Sequence, residues 1–265
     1  MKILALADLH ATGRSHDSLD AAVAIAYRGN YDVIVIAGDV SEQSVPDVYN
    51  LLLAFPVPVV FCLGNHEFSR HTVQAVHQKY TELQEQHKDD LIRCLDVVPK
   101  ATLKDAVFMG SVLWYDGTLS TLPKDRRDEL MEHIHPHWYD RTIHDFNPRK
   151  ENEECVKRLL PLNDEQGVKV MVTHMVPHRI LNAFEQTEPD GPFNVYSGMN
   201  NLFDRVKPDI AICGHTHKQV IETIDGVHCW NVGNDYYWSG DPGIRYCEID
   251  TSQVTEGKKN DQAKQ

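Results

Sequence analysis

The chain has 265 residues, 42% of them hydrophobic and 25% charged, with a formal net charge of −13. That length and balance suit a soluble globular chain with a real core, in one large domain or two small ones. The acidic surplus is a poor match for long nucleic acids or anionic membranes, but bound cations could still admit a small phosphorylated substrate. No stretch approaches the ~20 apolar residues of a membrane span, and the apolar run 3–7 is too short for a signal peptide. The six cysteines show no C-x-x-C spacing, and Cys62 and Cys213 sit inside apolar runs. Reduced, buried thiols in a cytoplasmic protein are expected.

The first element is a strand over 2–7, running into Asp8-Leu9-His10. An Ala-rich helix is predicted around 15–28, and a buried β-branched strand over 32–37, closed by Gly38-Asp39. A helix over 45–55 precedes a strand over 57–63 that stops at Gly64. Alternating helices and fully apolar strands argue for an α/β core with both sheet faces covered. Residues 70–90 read as a charged surface helix and 107–114 as a strand.

From 116 to 167 the pattern changes to charge, histidine, aromatics and spaced prolines. This excursion is read as partly helical, either a cap over a site or a peripheral insertion. Strands resume over 168–173, before His174, and over 209–213, before Gly214. Runs 219–224 and 227–232 flank Asp225-Gly226, a hairpin signal. A last strand covers 244–249. Residues 1–250 are expected to form a single domain, and the polar tail 251–265 to be disordered.

Five polar clusters stand at the ends of these apolar runs. They are Asp8-x-His10, Gly38-Asp39, Gly64-Asn65-His66-Glu67, His174, and Gly214-His215-Thr216-His217. A carboxylate at the edge of a core is costly unless something pairs with it, and a divalent metal accounts for several such residues at once. Asp8 and Asp39 offer hard oxygen ligands, His10, His174, His215 and His217 offer nitrogen, and Asn65 offers a neutral carbonyl. The set contains no cysteine. It suits divalent metals that activate water.

The five blocks, in this order over residues 8–217, resemble the calcineurin-like metallophosphoesterase superfamily. The resemblance implies a four-layer sandwich of two mixed β-sheets flanked by helices, with two divalent metal ions at the strand ends. It implies one ion on Asp8, His10, Asp39 and His217, and a second on Asp39, Asn65, His174 and His215, with Asp39 bridging. A hydroxide between the ions would be the nucleophile. His66 would act beside the leaving group, and Glu67 would orient His66. Manganese is the expected metal, with iron, zinc and nickel also compatible.

The expected activity is phosphodiester or phosphomonoester hydrolysis on a small substrate. Two alternatives share the motifs: a DNA-repair-type or single-strand nuclease, disfavoured by the charge, and a non-catalytic protein-binding scaffold, disfavoured by the complete ligand set. His178 and Trp114 are weaker candidates for substrate contact, set against a helix start and core packing respectively. His133, His135 and His137 alternate like ligands, but their charged surroundings favour a solvated helix end.

Overall fold

The computed structural model describes residues 1–12, 17–42, 48–183, 191–235, 243–252 and 254. In chain order its strands are β1 (Lys2–Leu6), β2 (Val33–Ala37), β3 (Val59–Cys62), β4 (Ile92–Cys94), β5 (Ala101–Leu103), β6 (Ala106–Ser111), β7 (Val168–Thr173), β8 (Ile210–Cys213), β9 (Gln219–Ile224), β10 (Val227–Val232) and β11 (Cys247–Asp250). The helices are α1 (Asp17–Arg28), α2 (Val48–Leu52), α3 (Val73–Gln86), α4 (Lys124–Glu132) and α5 (Pro148–Leu159).

The strands form two mixed sheets, ordered β11-β1-β2-β3-β4 and β5-β6-β7-β8-β10-β9. In each, a parallel centre carries antiparallel pairing at its margins: β11 on β1, β5 on β6, and β9 on β10. Side-chain alternation sorts the core into layers. Ile3, Ala5, Val33, Val35, Val60, Phe108, Val170, Val172 and Ile212 point between the sheets and pack on one another. The alternate residues Leu4, Leu6, Ile34, Ile36, Phe61, Val107 and Met171 face outward, into a cluster with Leu19 and Ala22 of α1, Val76 and Tyr80 of α3, and Val156 and Leu159 of α5. The result is the expected α/β sandwich of two mixed sheets flanked by helices. Strands buried on both faces explain why β2 and β7 read as continuous apolar runs.

Helix starts follow local chemistry. The Thr72 side chain accepts from the Ala75 N–H at 3.2 Å, opening α3. Asn147 caps α5 through Lys150 N–H at 3.1 Å, with Pro148 in its first turn. The hairpin falls where the sequence places it, with Asp225 and Gly226 both at positive φ, as a two-residue turn requires.

Differences from the sequence reading are local. The described part of the second helix is shorter than 45–55, and residues 43–47 lie outside the described set. The 107–114 strand ends at Ser111. The three-residue strands β4 and β5 were not anticipated, being too short to show a period. Most of the tail expected to be disordered lies outside the described residues, but Thr251 and Val254 are buried, and the Met1 amino group donates to Thr251 Oγ1 at 2.9 Å. All six cysteines are free and buried. No helix among the described residues is long and apolar enough to cross a membrane.

Phe108 is fully buried between the two sheets. Phe108→Ala is expected to cost about 3–5 kcal/mol of stability, read as a lower urea midpoint with an unchanged slope.

Candidate metal centre

The parallel strands β1, β2, β3, β7 and β8 all end at the same edge, and each is followed within three residues by a polar cluster. Ligand sites favour the carboxyl ends of parallel strands, where backbone and loops converge. The chain turns sharply there. Asp8, His10, Asp39, His215 and His217 have φ of 55°, 46°, 49°, 70° and 53°, in the left-handed region. Non-glycine residues reach that region at a cost, Asp and His more readily than most. Five such residues in one patch mark a constrained site. Gly38 is at φ 81°, and a Cβ there would strike the His174 imidazole; a Cβ at Gly64 would strike the Asp39 carboxylate. Both positions need glycine because the His174 and Asp39 side chains are packed against the backbone.

Hydrogen bonds within and between the sheets draw the centre together. His174, at the end of β7, reaches the other sheet and donates from Nδ1 to the Ala37 carbonyl at 3.0 Å. The His215 N–H donates to Asp8 at 3.1 and 3.2 Å. The His66 N–H donates to Asp39 Oδ1 at 3.0 Å. His217 donates from Nδ1 to the Asn234 carbonyl at 2.7 Å, and His10 Nδ1 meets Glu42 Oε1 at 2.9 Å. A carbonyl or carboxylate can only accept, so these contacts place the proton of all three rings on Nδ1. In the neutral imidazole Nε2 is then left as a lone-pair donor, the arrangement metal-binding histidines use.

Their ligand atoms gather closely. Asp39 Oδ2 lies 3.4 Å from His174 Nε2 and 3.7 Å from His10 Nε2. Asn65 Oδ1 lies 2.9 Å from His174 Nε2, which is 3.2 Å from His215 Nδ1. Asp8, His10 and His217 offer atoms within 4.8 Å of one another; so do Asp8, Asp39 and His174, and also His10, Asp39 and His66. The buried Nε2 of His215 meets no hydrogen-bond partner among the described residues. Two buried carboxylates, a set of inward imidazole nitrogens and an orphaned nitrogen are the donor set of a divalent metal site, and the residues present fit such ions.

The electrostatics carry the same tension. Burial, opposed by His174 and reinforced by Asp39, pushes the Asp8 carboxyl up to about 6. Burial also acts to raise Asp39, but the imidazoles of His174, His66 and His10 outweigh it and hold that carboxyl below the usual range. Burial and neighbouring imidazoles push His217 down to about 4 and His215 well below the ordinary histidine value. Burial acts to lower His66, yet Asp39 and Glu42 prevail and hold it up at about 9.

The centre opens into a cleft of about 580 Å³. Asp39, Asn65, His66 and His215 line it together with His137, Trp138, Tyr139, Lys218 and Asp235. All seven sequence-derived ligand candidates and His66 therefore come together. Glu67 is placed otherwise than expected. Its carboxylate accepts from the Ser41 and Gly64 N–H groups, both at 2.7 Å, and ties the β2 and β3 loops. Glu42 instead meets the His66 ring, with Oε1 at 2.8 Å from Nδ1. Burial would raise Glu42, but hydrogen bonds from His10 and His66 bring it down to about 2.

Trp114 is buried against Phe68 and Phe146 and does not line the cleft. An aromatic residue just past a strand end satisfied the core here. His178 also lies outside the cleft: it stacks on Phe203 and accepts the Ile180 N–H at its Nδ1. His133 ends α4 as a solvated helix end should, whereas His137 lines the cleft. Four residues escaped the sequence reading. Glu42 stands three after Asp39, a spacing that could have flagged it. Tyr139 stacks on His66 at 3.8 Å and donates to Glu42 Oε2 at 3.0 Å. Trp138 and Asp140 sit beside it, and nothing in the local pattern marks the three.

Two sheets meeting at a shared edge of gathered carboxylates and imidazoles define a metallophosphoesterase-type protein. The calcineurin-like phosphoesterase family profile matches residues 1–219, and the chain belongs to that family. Among solved structures it is similar to a phosphopantetheinyl hydrolase from Mycobacterium tuberculosis, at 18% identity over 94% of this chain and 95% of that one, with a TM-score of 0.68. It is also similar to a dimetal phosphatase from Danio rerio, at 14% identity over 94% and 91%, with a TM-score of 0.54. At these identities both likenesses speak to the fold. A comparison with curated proteins found no match.

The raised His66 value has a testable sign. Its folded-state value of about 9 exceeds the ordinary 6.5, so its contribution to stability is complete below pH 6.5 and lost as pH rises through 9. In metal-free protein, the melting-temperature gap between the parent and His66→Gln should shrink between pH 6.5 and 9.5. A gap that widens over that range would contradict the assignment.

Proposed function

We propose that this protein is a metal-dependent hydrolase of small phosphoesters, with phosphodiesters the favoured class. The observation that carries the reading is the convergence of Asp8, His10, Asp39, Asn65, His174, His215 and His217 at one strand-end edge, opening directly into a cleft that His66 lines. Asp8, His10, Asp39 and His217 would hold one divalent cation, and Asp39, Asn65, His174 and His215 the other, with manganese the proposed metal and iron, zinc or nickel compatible with the same donors. A pair of such ions supplies charge neutralisation for the phosphoryl oxygens and a water acidified enough to attack phosphorus.

The chain's own residues supply the rest. His66, with Nδ1 2.8 Å from Glu42 Oε1 and Nε2 3.8 Å from Asp39 Oδ2, would present a donor for the departing oxygen. Glu42 and the stacked Tyr139 fix the plane of that ring. Trp138, Tyr139 and His137 give the organic part of the ester a flat, largely apolar wall. Lys218 is the one Lys or Arg among the described cleft residues, a small positive complement that suits the single charge of a diester better than the dianion of a monoester. The acidic surface supports a small substrate over a long nucleic acid. Six free, buried thiols support a cytoplasmic setting.

Protein stripped by chelation and reloaded with manganese is expected to cleave bis-p-nitrophenyl phosphate faster than p-nitrophenyl phosphate. Absence of turnover of both, and of cyclic nucleotides, with manganese, nickel, iron and zinc each tried, would overturn the reading. His66→Gln is expected to lower kcat by roughly 10²–10⁴-fold with metal content retained, as loss of a general acid does.

A further inference from the structure

Asp140 belongs to the 116–167 excursion, far in sequence from every strand-end motif, yet it is fully buried beside the centre. Its carboxylate accepts two hydrogen bonds from opposite directions. Oδ1 takes the Asn65 Nδ2–H at 2.7 Å, and Oδ2 takes the Trp138 Nε1–H at 2.8 Å. The first contact settles the orientation of the Asn65 amide. A carboxylate offers only acceptors, so it faces the NH2 side, and the carbonyl oxygen must then face the other way. That oxygen lies 2.9 Å from His174 Nε2, among the gathered ligand atoms. An amide turned end for end would present an NH2 there, which cannot bind a cation. The second contact fixes the indole that walls the cleft.

The surrounding backbone holds Asp140 in register with the Gly64-Asn65-His66-Glu67 loop. The Arg70 N–H donates to the Thr142 carbonyl at 3.0 Å, the His144 N–H donates to the His71 carbonyl at 2.9 Å, and the Ser69 and Thr142 hydroxyls meet at 3.0 Å. The stretch carrying Trp138, Tyr139 and Asp140 is therefore stitched along the loop that carries Asn65 and His66.

We propose that Asp140 is a positioning residue for the metal centre: it sets the Asn65 amide with its oxygen toward His174 and, through the same carboxylate, ties the Trp138 wall of the cleft to that ligand. This rests on the metal-dependent reading given above. It makes the middle of the excursion part of the active centre, and it predicts that a substitution in the cleft wall is felt in metal binding.

The test uses full-length protein, chelated and titrated with manganese, with ions per chain and the spin-coupled Mn(II) pair signal in electron paramagnetic resonance as readouts. Parent protein is expected to bind two ions. Asp140→Asn offers one acceptor where two donors need one each, and should weaken the Asn65-side ion by roughly 10–100-fold, as the loss of a ligand-orienting partner does, and remove the pair signal. Asn65→Asp alone sets two buried carboxylates against each other and should also lose the pair. The double variant Asn65→Asp/Asp140→Asn restores both of these contacts: the amide at 140 donates to the carboxylate at 65 and accepts from Trp138. It should recover the second ion and the pair signal.

If Asp140→Asn binds both ions with parental affinity and merely melts at a lower temperature in chelator, Asp140 is only structural and the proposal fails. Failure of the double variant to improve on Asp140→Asn, with its fold intact by circular dichroism, also overturns it. A parent that binds no pair of ions and hydrolyses no phosphoester removes the functional reading, and this inference with it. A parent that does both beside an unchanged Asp140→Asn removes this inference alone.

Discussion

Two carboxylates, Asp8 and Asp39, are buried where the edges of the two sheets meet, and the rest of the centre answers the cost of keeping them there. An isolated buried carboxylate is strongly disfavoured, so each must be met by donors or by charge. Asp8 receives the His215 N–H from the other sheet, and Asp39 receives the His66 N–H from the β3 loop. Those bonds leave most of the acceptor capacity unfilled. What remains faces imidazole nitrogens, several of them turned inward by Nδ1 bonds to carbonyls. The opposite displacements of the two acids express the same deficit. Burial drives Asp8 toward its neutral form, while Asp39, surrounded by three imidazoles, stays ionised. Divalent cations at this point would supply the missing positive charge without adding a proton.

The backbone around the acids is arranged to the same end. Asp8, His10, Asp39, His215 and His217 each occupy the left-handed region, and such residues cost of order 1–3 kcal/mol apiece when held there. The turns are fixed by neighbouring chain: Asp8 N–H donates to the Gly38 carbonyl at 3.1 Å, and His10 N–H to that of Asp39 at 2.9 Å. The loops after β1 and β2 therefore brace one another, and the cross-sheet core behind them supplies the stability that the strained turns consume. Phe108, Val172 and Ile212 pack in the same layer as Ala5 and Ala37. His174 spans from its own sheet to the Ala37 carbonyl of the other at 3.0 Å.

Much of this was legible in residue order because strands buried on both faces leave continuous β-branched runs, and a polar residue at the end of such a run stands out. The candidate ligands that follow strands directly, from Asp8 to His217, stand out for that reason. Side chains that act across long loops were not. Glu42 reaches His66 over 24 positions, and Asp140 reaches Asn65 over 75. Neither sits in a segment with an apolar period to locate it, and Glu42 is marked only by its spacing from Asp39. Trp114 and His178 failed in the opposite sense. His178 stands four after His174 and Trp114 just past the end of β6, but Trp114 turns into the aromatic packing of Phe68 and Phe146, and His178 onto Phe203. Proximity along the chain marks the edge of the sheet and leaves the direction of the side chain undetermined, since alternate residues face opposite ways.

The division of labour within the centre follows from this geometry. The sheet edges supply candidate ligands whose positions are set by backbone shared with the core, so their placement is inseparable from folding. Orientation about the last torsion of each ligand is a separate matter, settled one hydrogen bond at a time. Ala37 sets His174, Asn234 sets His217, Glu42 sets His10 and His66, and Asp140 sets Asn65. The partners from the sheet layer are main-chain carbonyls, which persist under most substitutions. Those that reach the cleft wall are carboxylates, Glu42 through Tyr139 and Asp140 through Trp138. The wall that would touch the substrate is thus bonded to the side chains that aim His66 and Asn65. A change in that wall, made to accept a different ester, acts on the reactive centre as well.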